Sequence, residues 1–146
     1  MHDDWLNANH PRFTAIRRDL HQHPELEFDE LRTSAFVASE LTRFGYEVTT
    51  GIAKTGVVGT LKRGQGNRAI AIRADMDALP IKELTGLPWA SSYSDKMHAC
   101  GHDGHTTCLL AAAESLALQG SFDGTIHLIF QPAEEGSGGA WHMVQD

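Results

Sequence analysis

Nine consecutive residues, Met97-His98-Ala99-Cys100-Gly101-His102-Asp103-Gly104-His105, hold three histidines, a thiol and a carboxylate. Such a cluster is costly to bury unless it binds something, and its donors are those that hold a metal ion. One glycine separates Cys100 from His102, so both can face one ion only from a non-helical loop. A closed structural zinc site would use four ligands, usually with Cys-x-x-Cys pairs, and those are absent. One cysteine with histidines and carboxylates fits a catalytic site that keeps an open position. Downstream, Gln131-Pro132-Ala133-Glu134-Glu135-Gly136 supplies two adjacent acids. Neighbours in an extended segment point opposite ways. One acid can then bind metal while the other acts as general base on a metal-activated water. An exposed Glu-Glu pair is often inert, but this one follows an apolar run and precedes Gly136-Ser137-Gly138-Gly139.

The elements that must position these residues read as follows. Trp5, Leu6, Phe13, Ile16 and Leu20 are loosely helical in spacing, and Pro11 suggests a break or a helix start. Arg17 to Leu26 reads as a turn, because Pro24 disfavours a helical His23. His21 and His23 fit surface or supporting roles better than ligation. Glu30 to Phe44 is an amphipathic helix with Leu31, Ala35, Val37, Ala38 and Leu41 on its apolar stripe, and Gly45 follows as a stop. Tyr46–Thr50 and Val57–Leu61 read as strands, and Gly64-Gln65-Gly66-Asn67 as a turn. Ala69–Ala74 is almost continuously apolar, which predicts a strand buried on both faces in mid-sheet. It runs into Asp75-Met76-Asp77, where the carboxyl end of a strand makes two acids candidates for a site; a solvated turn is the plainer reading. Trp89–Met97 is a loop. Cys108–Leu118 is helical, with Cys108 a small buried residue, and Asp103 could serve as its N-cap. Gly124–Gln131 is a buried strand carrying a structural His127, and Gly138–Val144 begins another helix. The alternation predicts an α/β layered sheet with flanking helices.

At 146 residues the chain amounts to one domain or part of one, and its 41% apolar content suffices for a packed core. A formal charge of -7 argues against nucleic acid or an anionic membrane surface as partner. No apolar run approaches the roughly 18 residues of a membrane span. Met1-His2-Asp3-Asp4 lacks the pattern of a signal peptide, so the expected location is the cytoplasm, with both cysteines reduced.

Four ordered stretches together resemble the dinuclear-metal aminoacylase/carboxypeptidase family of metallopeptidases, and within it the amidohydrolase branch. They are Arg17-Arg18-Asp19-Leu20-His21 with Pro24-Glu25-Leu26, Arg73-Ala74-Asp75-Met76-Asp77-Ala78-Leu79-Pro80, His98 to His105, and Gln131 to Gly136. The resemblance implies Cys100, His102 and Glu135 as metal ligands and Glu134 as the general base. It implies Asp77 as an acid behind the ligands, with Asp75 and His105 as weaker candidates for the same layer. It further implies two divalent ions (zinc, manganese or cobalt) and hydrolysis of a small N-acyl amino acid such as hippurate. Family members are much longer, with further histidine ligands downstream and a smaller lid or dimerisation domain. The chain is therefore expected to be the N-terminal portion of a zinc-peptidase-like catalytic domain, inactive alone, whose full-length form can be a homo-oligomer.

Two rival readings follow from the same residues. One is a non-catalytic metal-binding module or degenerate homologue. The other is a cysteine hydrolase using Cys100 with His102 or His105, although such nucleophiles usually find their histidine far away in sequence.

Overall fold

Residues 2–146 are described by the computed structural model. They form α1 (His2–Gln22), α2 (Leu31–Arg43), β1 (Glu47–Ile52), β2 (Gly56–Arg63), β3 (Ala69–Asp75), α3 (His102–Gln119), β4 (Gly124–Gln131) and α4 (Gly139–Gln145). The strands make one sheet in the order β1-β2-β4-β3, the α/β layering that the alternation of elements predicts. β2 pairs antiparallel with β1 and β4, whereas β3 and β4 run parallel, with α3 as the crossover between them. Asp75 is in register with Gln131, and the Met76 N–H donates to the Gln131 carbonyl at 3.0 Å. Two strands thus end side by side, and the chain leaves both towards the same place.

Alternation along β4 turns Ile126, Leu128 and Phe130 to one face, where Val57 of β2 lies opposite Phe130. Val37 and Leu41 of α2 and Leu109, Leu110 and Ala113 of α3 pack with them in one core. Gly59 lets α2 come close, since a β-carbon there would sit 3.0 Å from Leu41 Cδ1. On the opposite face, α4 brings Ala140, Met143 and Val144 over Val58 and Ile129. No helix among the described residues is long and apolar enough to cross a membrane.

Several sequence expectations are corrected. Pro11 does not break the first helix: it lies on the exposed flank of a continuous α1. Packing of Trp5, Phe13 and Ile16 on the core and an Arg12–Glu114 ion pair to α3 hold that helix across the missing N–H. Arg17 to Gln22 belong to α1 rather than to a turn, which leaves only His23 onwards outside the helix. The inner stripe of α2 is Thr33, Val37 and Leu41, with Glu30 in line before it, and Leu31 is 69% exposed. Instead of a mid-sheet position, β3 takes the edge, and Ala69 to Arg73 are exposed; Ile70 is 58% accessible. Its apolar run lacks a second neighbouring strand among the described residues, so only Ala74 and Asp75 are covered. Cys108 is exposed beside that uncovered strand rather than buried. Gly101, not Asp103, is the N-cap of α3.

Leu110 is fully buried where α3 meets the sheet. Leu110→Ala is expected to lower unfolding free energy by about 2–5 kcal/mol, read from denaturant midpoints, because the cavity has little room to collapse.

Candidate metal centre

The site is assembled where β3, β4 and α3 converge. Asp75 and Asp77 at the end of β3 are buried, which sets aside the solvated-turn reading. The Thr106 hydroxyl donates to the Asp75 carbonyl at 2.9 Å, tying the start of α3 to the end of β3. Gly101 adopts φ 84, a left-handed conformation that costs glycine little, and turns the chain between Cys100 and His102. The expected loop therefore ends at Cys100, and His102 is the first residue of α3.

His102 is oriented by Asp77. Its Nδ1 lies 2.9 Å from the Asp77 carbonyl and 3.3 Å from Asp77 Oδ1. A carbonyl only accepts, so Nδ1 carries the proton and Nε2 presents its lone pair to the cluster. There, Nε2 is 3.6 Å from Glu135 Oε1 and 3.5 Å from Asp75 Oδ1. Asp77 Oδ2 meanwhile accepts the Glu135 N–H at 3.0 Å, so one carboxylate holds both the ring and the backbone of Glu135. Ligating atoms of Cys100, His102 and Glu135 come within 4.8 Å of one another. Glu134 is exposed and belongs to no such group, consistent with the two acids facing different ways.

The donor set fits a cation. Glu135 Oε1 is buried with no hydrogen-bond partner, a costly arrangement for a carboxylate oxygen that an ion relieves. The Glu135 carboxylate against the thiol is the largest cause that pushes Cys100 up from its ordinary range, with burial, Glu134 and Asp75 adding to it. A cysteine nucleophile needs the opposite shift. Burial opposes charge on Asp77, but hydrogen bonds from His102 and the Glu135 and Glu134 N–H groups outweigh it and hold this carboxyl low. Burial likewise opposes protonation of His102, and Asp77 and Asp75 outweigh it, raising the ring above its usual value.

A second group, Asp75, His102 and His105, shares the His102 ring. His105 Nδ1 is 2.7 Å from Asp75 Oδ1, and its ring stacks on His102 with centroids 5.5 Å apart. Arg73 Nη1 reaches the other Asp75 oxygen at 3.1 Å.

Other residues of the four stretches lie behind the site. His21 Nδ1 and Arg17 Nε approach Asp103 Oδ2 at 2.9 and 3.1 Å, so Asp103 links α1 to α3. Glu83 Oε1 is 3.3 Å from His21 Nε2. Burial pulls His98 down to about 4, leaving it neutral and outside both groups. His127 sits on the sheet with Nδ1 3.0 Å from the Thr60 hydroxyl. Sequence reasoning missed Glu30, whose Oε1 accepts the Ala133 N–H at 2.9 Å just before the glutamate pair. The available signal was an acid in line with the buried stripe of α2.

Relatives are longer than this chain. A hippurate hydrolase of Campylobacter jejuni is 58% identical over 134 residues, 92% of this chain and 35% of that protein. An N-acetyl-L-cysteine deacetylase of Bacillus subtilis is 46% identical, over 97% of this chain and 34% of that one. The chain thus spans about a third of the length of the curated relatives it matches. The crystal structure of a dinuclear metal-binding M20 peptidase from Bacillus subtilis superposes with a TM-score of 0.88 at 44% identity. That match covers 95% of this chain and 40% of that one, and it extends the α/β likeness to the catalytic fold. A model of peptidase family M20/M25/M40 matches residues 71–146, more than half of the chain, and on that match the chain belongs to this family.

Proposed function

We propose that this chain supplies part of the catalytic domain of a metal-dependent amidohydrolase that cleaves small N-acyl amino acids, hippurate among them, to a carboxylate and a free amino acid. The reading is carried by the convergence of the Cys100, His102 and Glu135 ligating atoms within 4.8 Å. The relatives named for hippurate, N-acetyl-L-cysteine and IAA-amino acids support it, since each name denotes an acylated amino acid.

In this reading Cys100, His102 and Glu135 hold an ion, and the complete site takes two divalent ions from among zinc, manganese and cobalt. A bound divalent ion supplies positive charge that polarises the amide carbonyl and eases deprotonation of water. Glu134, exposed beside Glu135, takes the proton from the attacking water and passes it to the departing amine. Asp77 keeps the His102 ring and the Glu135 backbone in place. Asp75 holds His105, whose ring stacks on that of His102.

Glu134→Gln in the complete protein is expected to lower hippurate turnover by roughly 10²–10⁴-fold, with bound metal unchanged by elemental analysis. Equal turnover in the two proteins would remove Glu134 from the mechanism, and no turnover in either would favour a binding module.

Cys100→Ala is expected to strip metal from the purified chain during dialysis that leaves wild type loaded. Wild-type affinity should fall as pH falls, because the ion must displace a proton from a thiol whose pKa is raised. Equal metal content in both would place the ion elsewhere.

A further inference from the structure

Glu30 contributes no ligating atom to either group, yet it is 0% exposed at the start of α2. Burying a carboxylate is expensive unless its oxygens are satisfied. Both are: Oε1 accepts the Ala133 N–H at 2.9 Å and Oε2 accepts the Thr55 hydroxyl at 2.5 Å. Glu30 does not cap its own helix. That work falls to Glu25, which accepts the N–H groups of Arg32 and Thr33 at 2.9 and 2.8 Å. What Glu30 reaches instead is the loop between β4 and α4.

Ala133 in that loop has φ 50, a left-handed conformation that alanine adopts only when its surroundings impose it. The bond from Glu30 acts on the N–H of that residue, and the Gly139 N–H donates to its carbonyl at 2.9 Å. Gly139 has to be glycine for this approach, since a β-carbon would lie 1.8 Å from the Pro132 oxygen. Two more carboxylates take N–H groups further along: Asp77 those of Glu134 and, at 3.0 Å, Glu135, and Glu27 that of Ser137 at 2.8 Å. Of the three, Glu30 is the one that acts immediately before the glutamate pair.

We infer that Glu30 is a positioning residue, which fixes through the Ala133 N–H the backbone that carries Glu134 and Glu135. Its effect on metal binding rests on the proposed metal site, whereas its effect on the backbone rests on the hydrogen bonds alone.

The test compares wild type, Glu30→Ala and Glu30→Gln as purified 146-residue chains. Gln keeps an acceptor for Ala133 and an amide that can donate to the Thr55 oxygen, and removes only the charge. Two readouts are taken: amide hydrogen exchange at Ala133 and Glu135 against Leu128 and Phe130 in β4, and titration with cobalt(II) followed by its thiolate absorption band. Glu30→Ala is expected to speed exchange at Ala133 and Glu135 by about tenfold relative to β4 and to weaken cobalt binding by about 10- to 100-fold, with an altered band. Glu30→Gln should return both readouts to within about threefold of wild type. Acceleration spread equally over β4 and the loop would mean general destabilisation and overturn the inference. So would unchanged exchange and cobalt binding in Glu30→Ala, or a Gln variant as impaired as the Ala variant. If Glu30→Ala does not fold, Thr55→Val removes the hydroxyl on Oε2; the same local pattern at smaller amplitude supports the inference, and a uniform or absent change overturns it. A wild-type chain that takes up no cobalt sinks the metal site alone, and the exchange comparison then decides the role of Glu30.

Discussion

Asp77 joins the start of α3 to the loop that follows β4. Its carboxylate and carbonyl hold the His102 ring, and its second oxygen holds the Glu135 N–H. The difficulty it helps to solve is electrostatic. Asp75, Glu134 and Glu135 all gather near Cys100, and two like charges 4 Å apart repel by about 4 kcal/mol at an effective dielectric constant near 20. The His105 ring, Arg73 and backbone N–H groups offset part of that repulsion. One buried Glu135 oxygen remains without a hydrogen-bond partner, 3.6 Å from His102 Nε2. Asp77 keeps the two loops together against that repulsion.

The acid excess has a second use. Many of the acids accept backbone N–H groups that no helix or strand satisfies. Glu25 serves the first turn of α2, Glu83 takes the Ser91 N–H, and Asp123 takes those of Gln65 and Gly66. Asp146 takes the Ala53 N–H. A loop-rich fold needs such acceptors, and a carboxylate with two oxygens can hold two donors at once. Part of the charge that argues against anionic partners is therefore structural rather than surface dressing.

The candidate cluster was legible because its residues are chemically unusual and close in sequence: Cys100 and His102 are separated by one residue, and Glu135 lies in an adjacent acidic pair with Glu134. The carboxyl end of β3 was legible for a different reason, since an apolar run followed by Asp75 and Asp77 signals a strand leaving the sheet. Misreadings came where a distant partner overrides a local preference. Pro11 would end an isolated helix, but α3 holds α1 together across it. Apolarity of Ala69–Ala74 reports what the strand is suited to, whereas its edge position depends on which neighbours are present. For Glu30 the sequence held a hint of burial, an acid in line with the inner stripe of α2, but not its role, because its partners Thr55 and Ala133 are remote in sequence.

Parallel pairing of β3 with β4 also constrains the order of folding. An antiparallel hairpin such as β1–β2 closes a short loop, but β3 reaches β4 only after the whole Asp75-to-Gly124 segment, with α3 in it, has been gathered in. Closing that long loop costs chain entropy before any contact rewards it, so such pairings form slowly. Asp77 and Glu135 leave from the ends of those two strands, so Glu135 is not brought to Cys100 and His102 in a partly folded chain. Before that closure, Cys100 and His102 lie close together in sequence but lack Glu135. In the proposed reading, the complete set of Cys100, His102 and Glu135 therefore forms only with completion of the sheet.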